Sequence, residues 1–279
     1  MTVMVNRRQQ RLSARLAELW RYRDLVRNLA LRDLKARYKS SVLGFVWSLL
    51  NPLLMTVVFT IVFTVMLPSN IEKYPVFILV GLLPWNWFSS SLFGSVQSIV
   101  GNANLVKKVY FPRETLPIAV VVANGVNFLL AGIVLFALIL IYRIPITAWV
   151  FFLPVLVVIQ FVLTLGLGLF VAALNVRFRD TAVILEVILQ AWFFLTPVVY
   201  DMRVLPEAKT IMGVDVEVRR WAYILNPIGS LIASYRDILY WTTPPGLDFV
   251  ARTAVESAII LVLGYLFFSR LAPTFGEDV

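Results

Sequence analysis

The chain contains no cysteine and no histidine. Disulfides, thiolate and imidazole metal sites, and every nucleophilic or acid–base arrangement built on Cys or His are thereby excluded. Charge is also scarce. Only 15% of the 279 residues are Asp, Glu, Lys or Arg and 60% are hydrophobic, whereas a soluble domain carries about 25% and about 45–50%. No G-x-x-x-x-G-K-[ST] loop occurs, so the chain does not bind ATP in the P-loop manner by itself. Ionisable groups deep in apolar runs, the usual mark of proton- or ion-coupled transport, are few.

What the sequence does have is long apolar runs. A hydrocarbon core of about 30 Å needs about 20 apolar residues at about 1.5 Å of helical rise each. Six stretches are expected to span: about Val42–Leu67 around Pro52, Tyr74–Val100 around Pro84, Thr115–Tyr142, Ile146–Leu174, Thr181–Tyr200 and Ala254–Leu271. The second carries Ser90, Gly94 and Ser98 at spacings of four, a small-residue face that allows close helix packing. The first apolar run begins only near Val42, behind a densely charged segment, so the first span is expected to act as its own insertion signal. The expected class is an all-α integral membrane protein. Residues 1–41 would form an amphipathic interface helix and residues 42–279 a six-helix domain, with an outer re-entrant region at about 200–249.

The net charge of +9 is read through topology rather than as a nucleic-acid footprint. Arg and Lys concentrate in the first 39 residues, at Lys107, Lys108 and Arg113, and at Arg177, Arg179 and Arg270, and they are sparser in the intervening loops. With an even number of spans, this asymmetry predicts both termini on the cytoplasmic side. Steps of 3.6 residues from Leu12 land near Leu16, Leu19, Tyr22, Val26, Ala30 and Leu34, while Arg11, Arg15, Arg21, Arg27 and Arg32 fall mostly off that line. A basic amphipathic helix of this kind suits an anionic membrane surface. It serves either as a topological anchor or, given its surplus length, as a partner-binding element.

Between the fifth and sixth expected spans, Trp221–Tyr235 is apolar but short and is broken by Asn226, Pro227 and Gly229. That pattern fits a re-entrant or interfacial segment, or else a surface loop with aromatic anchors. Glu186 is expected near the cytoplasmic end of the fifth span, and Arg252 with Glu256 as a helix ion pair. The polar groups expected within spans are amides: Asn124, Asn127, Gln160 and Gln190. Amides and hydroxyls join helices or meet sugar hydroxyls, but carry no protons across. Aromatic residues are dense at Trp85, Trp87, Phe88, Trp192, Phe193 and Tyr200; they are interface belt by default, or line a path on which sugar rings stack.

Four stretches together carry a family resemblance: Arg27–Pro52 (RNLALRDLKARYKSSVLGFVWSLLNP), Asn102–Pro117 (NANLVKKVYFPRETLP), Asn175–Asp180 (NVRFRD), and Thr196–Tyr200 (TPVVY) followed by Asn226 and Pro227. Over nearly its whole length the chain resembles the permease subunit of type-2 ABC exporters of lipid-linked polysaccharide, the O-antigen, capsule and teichoic-acid exporters. The resemblance implies a homodimer in the cytoplasmic (inner) membrane, bound to two copies of a separate ABC ATPase that holds ATP and Mg, with no cofactor, metal or catalytic residue in this chain. It implies coupling to that ATPase through Asn104, Lys107, Lys108, Phe111, Pro112, Arg113, Arg177 and Asp180. Arg37, Tyr38 and Lys39, beside the first span, are candidate contacts to a lipid pyrophosphate head. Two alternatives remain: an exporter of drugs or small lipids from the same broad class, and a membrane enzyme acting on polyprenyl-linked sugars. The second would require paired acid–base groups, and the carboxylates outside the spans (Asp201, Glu207, Asp215, Glu217, Asp237 and Asp248) show no evident pairing.

Overall fold

The computed structural model describes residues 18, 20–38, 46–69, 71–204, 206, 209–211 and 214–279. In chain order the helices are α1 (Arg23–Tyr38), α2 (Val46–Ile61, continued by a π-helical turn over Val62–Met66), α3 (Tyr74–Ser98), α4 (Ala103–Lys108), α5 (Thr115–Ile141) and α6 (Leu153–Arg177). They continue with α7 (Thr181–Leu195), α8 (Val218–Leu225), α9 (Pro227–Leu239), α10 (Leu247–Leu271) and α11 (Phe275–Asp278). A short antiparallel ribbon, β1 (Lys209–Ile211) with β2 (Val214–Val216), is the exception to an otherwise helical chain among the described residues.

The bundle is built around α3. Most of its side chains are buried, from Tyr74 and Phe77 at one end to Ser95 and Val96 near the other, and one strip, Asn86, Ser90, Phe93 and Gln97, is left partly or fully exposed. Helices α2, α5, α6, α7 and α9 pack around it, and α10 packs along α6. The α6–α10 seam is made by glycine. A Cβ on Gly166 would lie 2.6 Å from the Leu261 nitrogen, and one on Gly264 would lie 2.9 Å from the Gly166 carbonyl carbon. The two backbones touch directly, which is how small residues associate helices where lipid supplies no hydrophobic drive between them. Outward-facing Leu129, Ile133, Leu140, Val155, Val158, Ile259, Val262 and Leu263 are exposed apolar residues suited to a hydrocarbon surround.

Among the described residues, five helices are long and apolar enough to cross a membrane: Leu49–Met66, Tyr74–Ser98, Thr115–Ile141, Ala148–Arg177 and Leu247–Asp278. The fifth of the six expected spans is instead a 15-residue helix that stops at Leu195 rather than Tyr200. The cause is local. Pro197 disfavours the helical region for the residue before it, and Thr196 is extended with ψ 137. The last expected span also differs, starting at Leu247 rather than near Ala254, so that Arg252 and Glu256 lie within its helix and pair at 3.2 Å.

A second apolar cluster lies at one pole of the bundle. Leu29 and Ala30 of α1, Val106 and Phe111 of the α4 region, Leu116 of α5, Ala172, Ala173 and Val176 of α6, and Phe268 and Phe275 from the end of the chain meet there. Tyr22, Val26, Ala30 and Leu34 of the expected apolar stripe all pack into this cluster, while Arg27, Arg32 and Lys35 are exposed. Residues Leu12, Leu16 and Leu19, the start of that stripe, lie outside the described residues.

Candidate functional site

Helices α2, α3 and α5 enclose an open groove of about 450 Å³, closed on one side by Phe193 of α7. The regular spacing of the helix builds its walls. Trp47, Asn51 and Met55 repeat at intervals of four on α2, Asn86 and Ser90 do so on α3, and Asn124 and Asn127 are three apart on α5, so each set shares a face. Trp85, Trp87, Phe59, Phe128 and Phe193 complete the lining. Trp87 stacks on Phe128 with ring centroids 5.0 Å apart, and Trp85 meets Phe193 edge-on at 5.5 Å. Gly125 lets α5 approach the Trp87 ring, since a Cβ there would be 3.1 Å from it. The Trp87 indole N–H donates to the Val121 carbonyl at 3.1 Å, which fixes the ring's tilt.

No lining residue of the groove is ionisable at neutral pH. Four amides, one serine and a set of aromatic rings offer neutral donors, neutral acceptors and flat apolar faces. This is poor chemistry for an ion or proton path and for acid–base catalysis, and apt for a neutral ligand with many hydroxyls.

Of the six aromatics singled out in the sequence, Trp85, Trp87 and Phe193 are on the groove wall. Phe88 is fully buried between Trp85 and Trp192. Trp192 donates its indole N–H to the Asn226 amide oxygen at 3.1 Å, and the Tyr200 hydroxyl donates to the Phe194 carbonyl at 3.2 Å. Among the amides of the spans, Asn124 and Asn127 face the groove, whereas Gln160 is wholly buried and donates to the Pro84 carbonyl at 2.8 Å, joining α6 to α3. Sequence reasoning missed Trp47, Asn51 and Asn86. Their signal was available in the alignment of amides and tryptophans at helical spacing on three separate helices, but which helices face one another is a tertiary fact.

At the pole described above, the stretches 102–117 and 175–180 come together with α1. Asn104, Lys107 and Lys108 are exposed on α4 while Val106 and Phe111 are buried beneath them. Pro112 and Arg113 are half-buried at the start of α5, and Arg177, Arg179 and Asp180 are exposed in the α6–α7 turn. The Arg32 guanidinium donates to the Asn102 amide oxygen at 3.0 Å, tying α1 to the start of α4. The result is a single basic, solvent-facing surface on an apolar footing. Arg37 and Tyr38 close α1, but their side chains lie outside the described residues, as does Lys39.

The opposite pole is organised by α9 and the extended segment after α7. Asn226 caps α9, accepting from the Gly229 N–H at 3.1 Å, and its amide donates to the Thr196 hydroxyl at 2.9 Å. Arg236 is buried against the Phe77 ring and donates to the carbonyls of Pro197, Val198 and Tyr200, while the Tyr74 hydroxyl serves Val199 at 2.8 Å. Near this pole the Asp237 carboxyl is pushed up to about 6, chiefly by burial, with Asp201 adding to the effect and Arg203 opposing it.

Five long apolar helices, a neutral amide and aromatic groove, and a basic pole assembled from three separate stretches define a polytopic membrane protein of the transport type. The chain belongs to the ABC-2 type transporter family, whose model matches residues 24–240. It is 38% identical over 262 residues to an O-antigen export system permease protein, RfbA, of Myxococcus xanthus, covering 94% of this chain and 98% of that protein. It is 32% identical over 255 residues to an RfbA of Klebsiella pneumoniae, with 91% and 94% covered. A more distant relative, the polysialic acid transport protein KpsM of Escherichia coli, is 23% identical over 247 residues.

Proposed function

We propose that this chain is the permease subunit of an ATP-driven exporter that carries an undecaprenyl-linked polysaccharide of the O-antigen or capsular type across the cytoplasmic membrane. Its relatives' names support this class of cargo, and the groove is the observation that carries the reading to residue level. A glycan needs neutral hydrogen-bonding partners and flat apolar faces. Asn51, Asn86, Asn124 and Asn127 with Trp47, Trp85 and Trp87 supply both. A drug or lipid exporter would have less use for four amides in one groove.

The energy comes from two copies of a separate ABC ATPase, which holds the ATP and Mg. The surface formed by Asn104, Lys107, Lys108, Phe111, Pro112 and Arg113, with Arg177 and Asp180, receives it. Both termini then face the cytoplasm, α1 lies in the membrane interface as an amphipathic helix, and residues 1–41 form a unit distinct from the transmembrane domain of 42–279. Helix α7 makes a sixth, short crossing whose extended continuation reaches the outer side, and α8 and α9 form the outer re-entrant region. A homodimer is supported by Glu186 and Gln190, four apart and both exposed on α7. A carboxylate and an amide facing lipid are costly, whereas between two copies they border the transport path. Arg37, Tyr38 and Lys39 are assigned to the pyrophosphate of the lipid carrier, where guanidinium and ammonium groups bind well.

The test is co-purification from the native cells. The solubilised chain is expected to retain a P-loop ATPase, and its deletion to leave completed glycan on the cytoplasmic side. Purification alone with intact glycosyl-transfer activity would refute the assignment. Replacing Arg37, Tyr38 and Lys39 together by Gln is expected to abolish stimulation of ATP hydrolysis by lipid-linked substrate, and an unchanged response removes those residues from the entry site.

A further inference from the structure

Residues 272–279 follow the last long helix and fold back onto the basic pole rather than away from it. Phe275 is 1% exposed, and its ring meets that of Phe268 edge-on at 5.2 Å, within the cluster that also holds Val106 and Phe111 of the α4 region and Val176 of α6. The Arg113 guanidinium donates to the Ala272 carbonyl, and a Cβ on Gly276 would sit 3.5 Å from it. On the other side the Arg179 guanidinium reaches the Asp278 carbonyl at 3.5 Å. The short helix is held shut by the Thr274 hydroxyl, which donates to the Asp278 carboxylate at 2.7 Å. One eight-residue segment therefore touches both polar stretches of the pole, the one before α5 and the turn after α6.

We infer that residues 272–279 are a strut that sets the α4 region against the α6–α7 turn, so that a push on one is transmitted to the other and to α10. The inference rests on the proposed ATPase-driven function. Surface residues that touch the ATPase cannot pass on movement unless something stiff stands behind them. Buried Phe275 is that footing: an aromatic ring packed against Phe268 links the surface to the far end of α10. Phe275 is a positioning residue, since it is shielded from any partner by its burial.

The experiment uses the complete transporter, permease with ATPase, carrying Phe275→Ala or the conservative Phe275→Leu. Complex yield, basal ATPase, ATPase stimulated by lipid-linked polysaccharide, and export in cells are measured together. For Phe275→Ala the expected result is a retained complex with basal hydrolysis within twofold of the parent, while stimulation and export fall at least fivefold. Phe275→Leu, which keeps bulk but loses the ring contact with Phe268, lies between the two, with stimulation per unit of basal activity below the parent's. Stimulation and export within twofold of the parent in Phe275→Ala overturn the strut. If Phe275→Ala does not accumulate, Phe275→Leu decides: stimulation per unit of basal activity fully equal to the parent's overturns it, and a reduced ratio supports it. A parent chain that retains no P-loop ATPase fails the functional reading itself, whereas a stimulated parent with an unaffected variant fails the strut alone.

Discussion

The Asn226 amide donates to the Thr196 hydroxyl at 2.9 Å, across thirty residues of chain. It also accepts from the Trp192 indole and the Gly229 N–H, at 3.1 Å each. One side chain thus joins the end of α7 to the start of α9, where the chain leaves helical geometry. Unwound backbone is tolerated at membrane depth only where protein satisfies it. Asn226, Arg236 and Tyr74 do so here, carbonyl by carbonyl. Asn226→Ala is therefore expected to lower stability by about 2 kcal/mol, in the range for a buried group left without its partner. Thermal unfolding of the solubilised protein checks this, and a midpoint equal to the parent's would show that the contact is incidental.

Gly264 and Gly166 mark a direct backbone contact between α6 and α10. Gly264→Ala is expected to force α6 and α10 apart, costing about 1–3 kcal/mol, whereas Gly132→Ala, with nothing within 4 Å of the added carbon, leaves the midpoint unchanged or slightly raised. Equal midpoints for the two variants would contradict the packing.

Asp237 provides a pH signature. Burial pushes its carboxyl up to about 6, so the folded protein holds this proton more tightly than the unfolded chain does. Its stabilising contribution is complete below the ordinary carboxylate range and is lost as pH rises through about 6. The unfolding midpoint of the parent should fall between about pH 4 and 6 and level off above that. In Asp237→Asn that fall should be reduced, with a midpoint above the parent's at pH 7.5. A parent and variant with parallel pH profiles would rule out a role for this group.

Asn127→Leu removes a neutral hydrogen-bonding group from the groove while keeping the branched outline of the side chain. Export of polysaccharide is expected to drop about tenfold, equivalent to about 1.4 kcal/mol of lost interaction, with the ATPase complex and its basal hydrolysis intact. Measuring glycan at the cell surface against total glycan separates a transport defect from a synthesis defect. Undiminished export would move the path away from this groove.

The long helices were legible because their signal is local: about twenty apolar residues in a row need no partner to be recognised. The boundaries of α3 and α5 accordingly fall within two residues of expectation. The fifth span was misjudged because apolar composition continues through Thr196–Tyr200 while Pro197 ends the helix. The register of the α1 stripe was readable from Tyr22 onward, since Val26, Ala30 and Leu34 repeat on one face and all pack inward. The groove was only half legible. Trp85, Trp87, Asn124 and Asn127 stood out by type, yet Phe88, of equal type, is fully buried and Trp192 is half-buried against it and tied to Asn226.

By itself the sequence determined the solvent this protein lives in, the places of its long apolar runs, and the absence of Cys, His and P-loop chemistry. These follow from composition and from contiguous runs, which each segment carries independently of the others. Only the tertiary structure decided that residues 272–279 return to the α4 region, that Asn226 and Arg236 sustain an unwound segment, and that amides of α2, α3 and α5 share one groove. Each of these depends on which faces of distant helices meet. That is set by backbone approach at residues such as Gly166, Gly264 and Gly125, and no single segment encodes it.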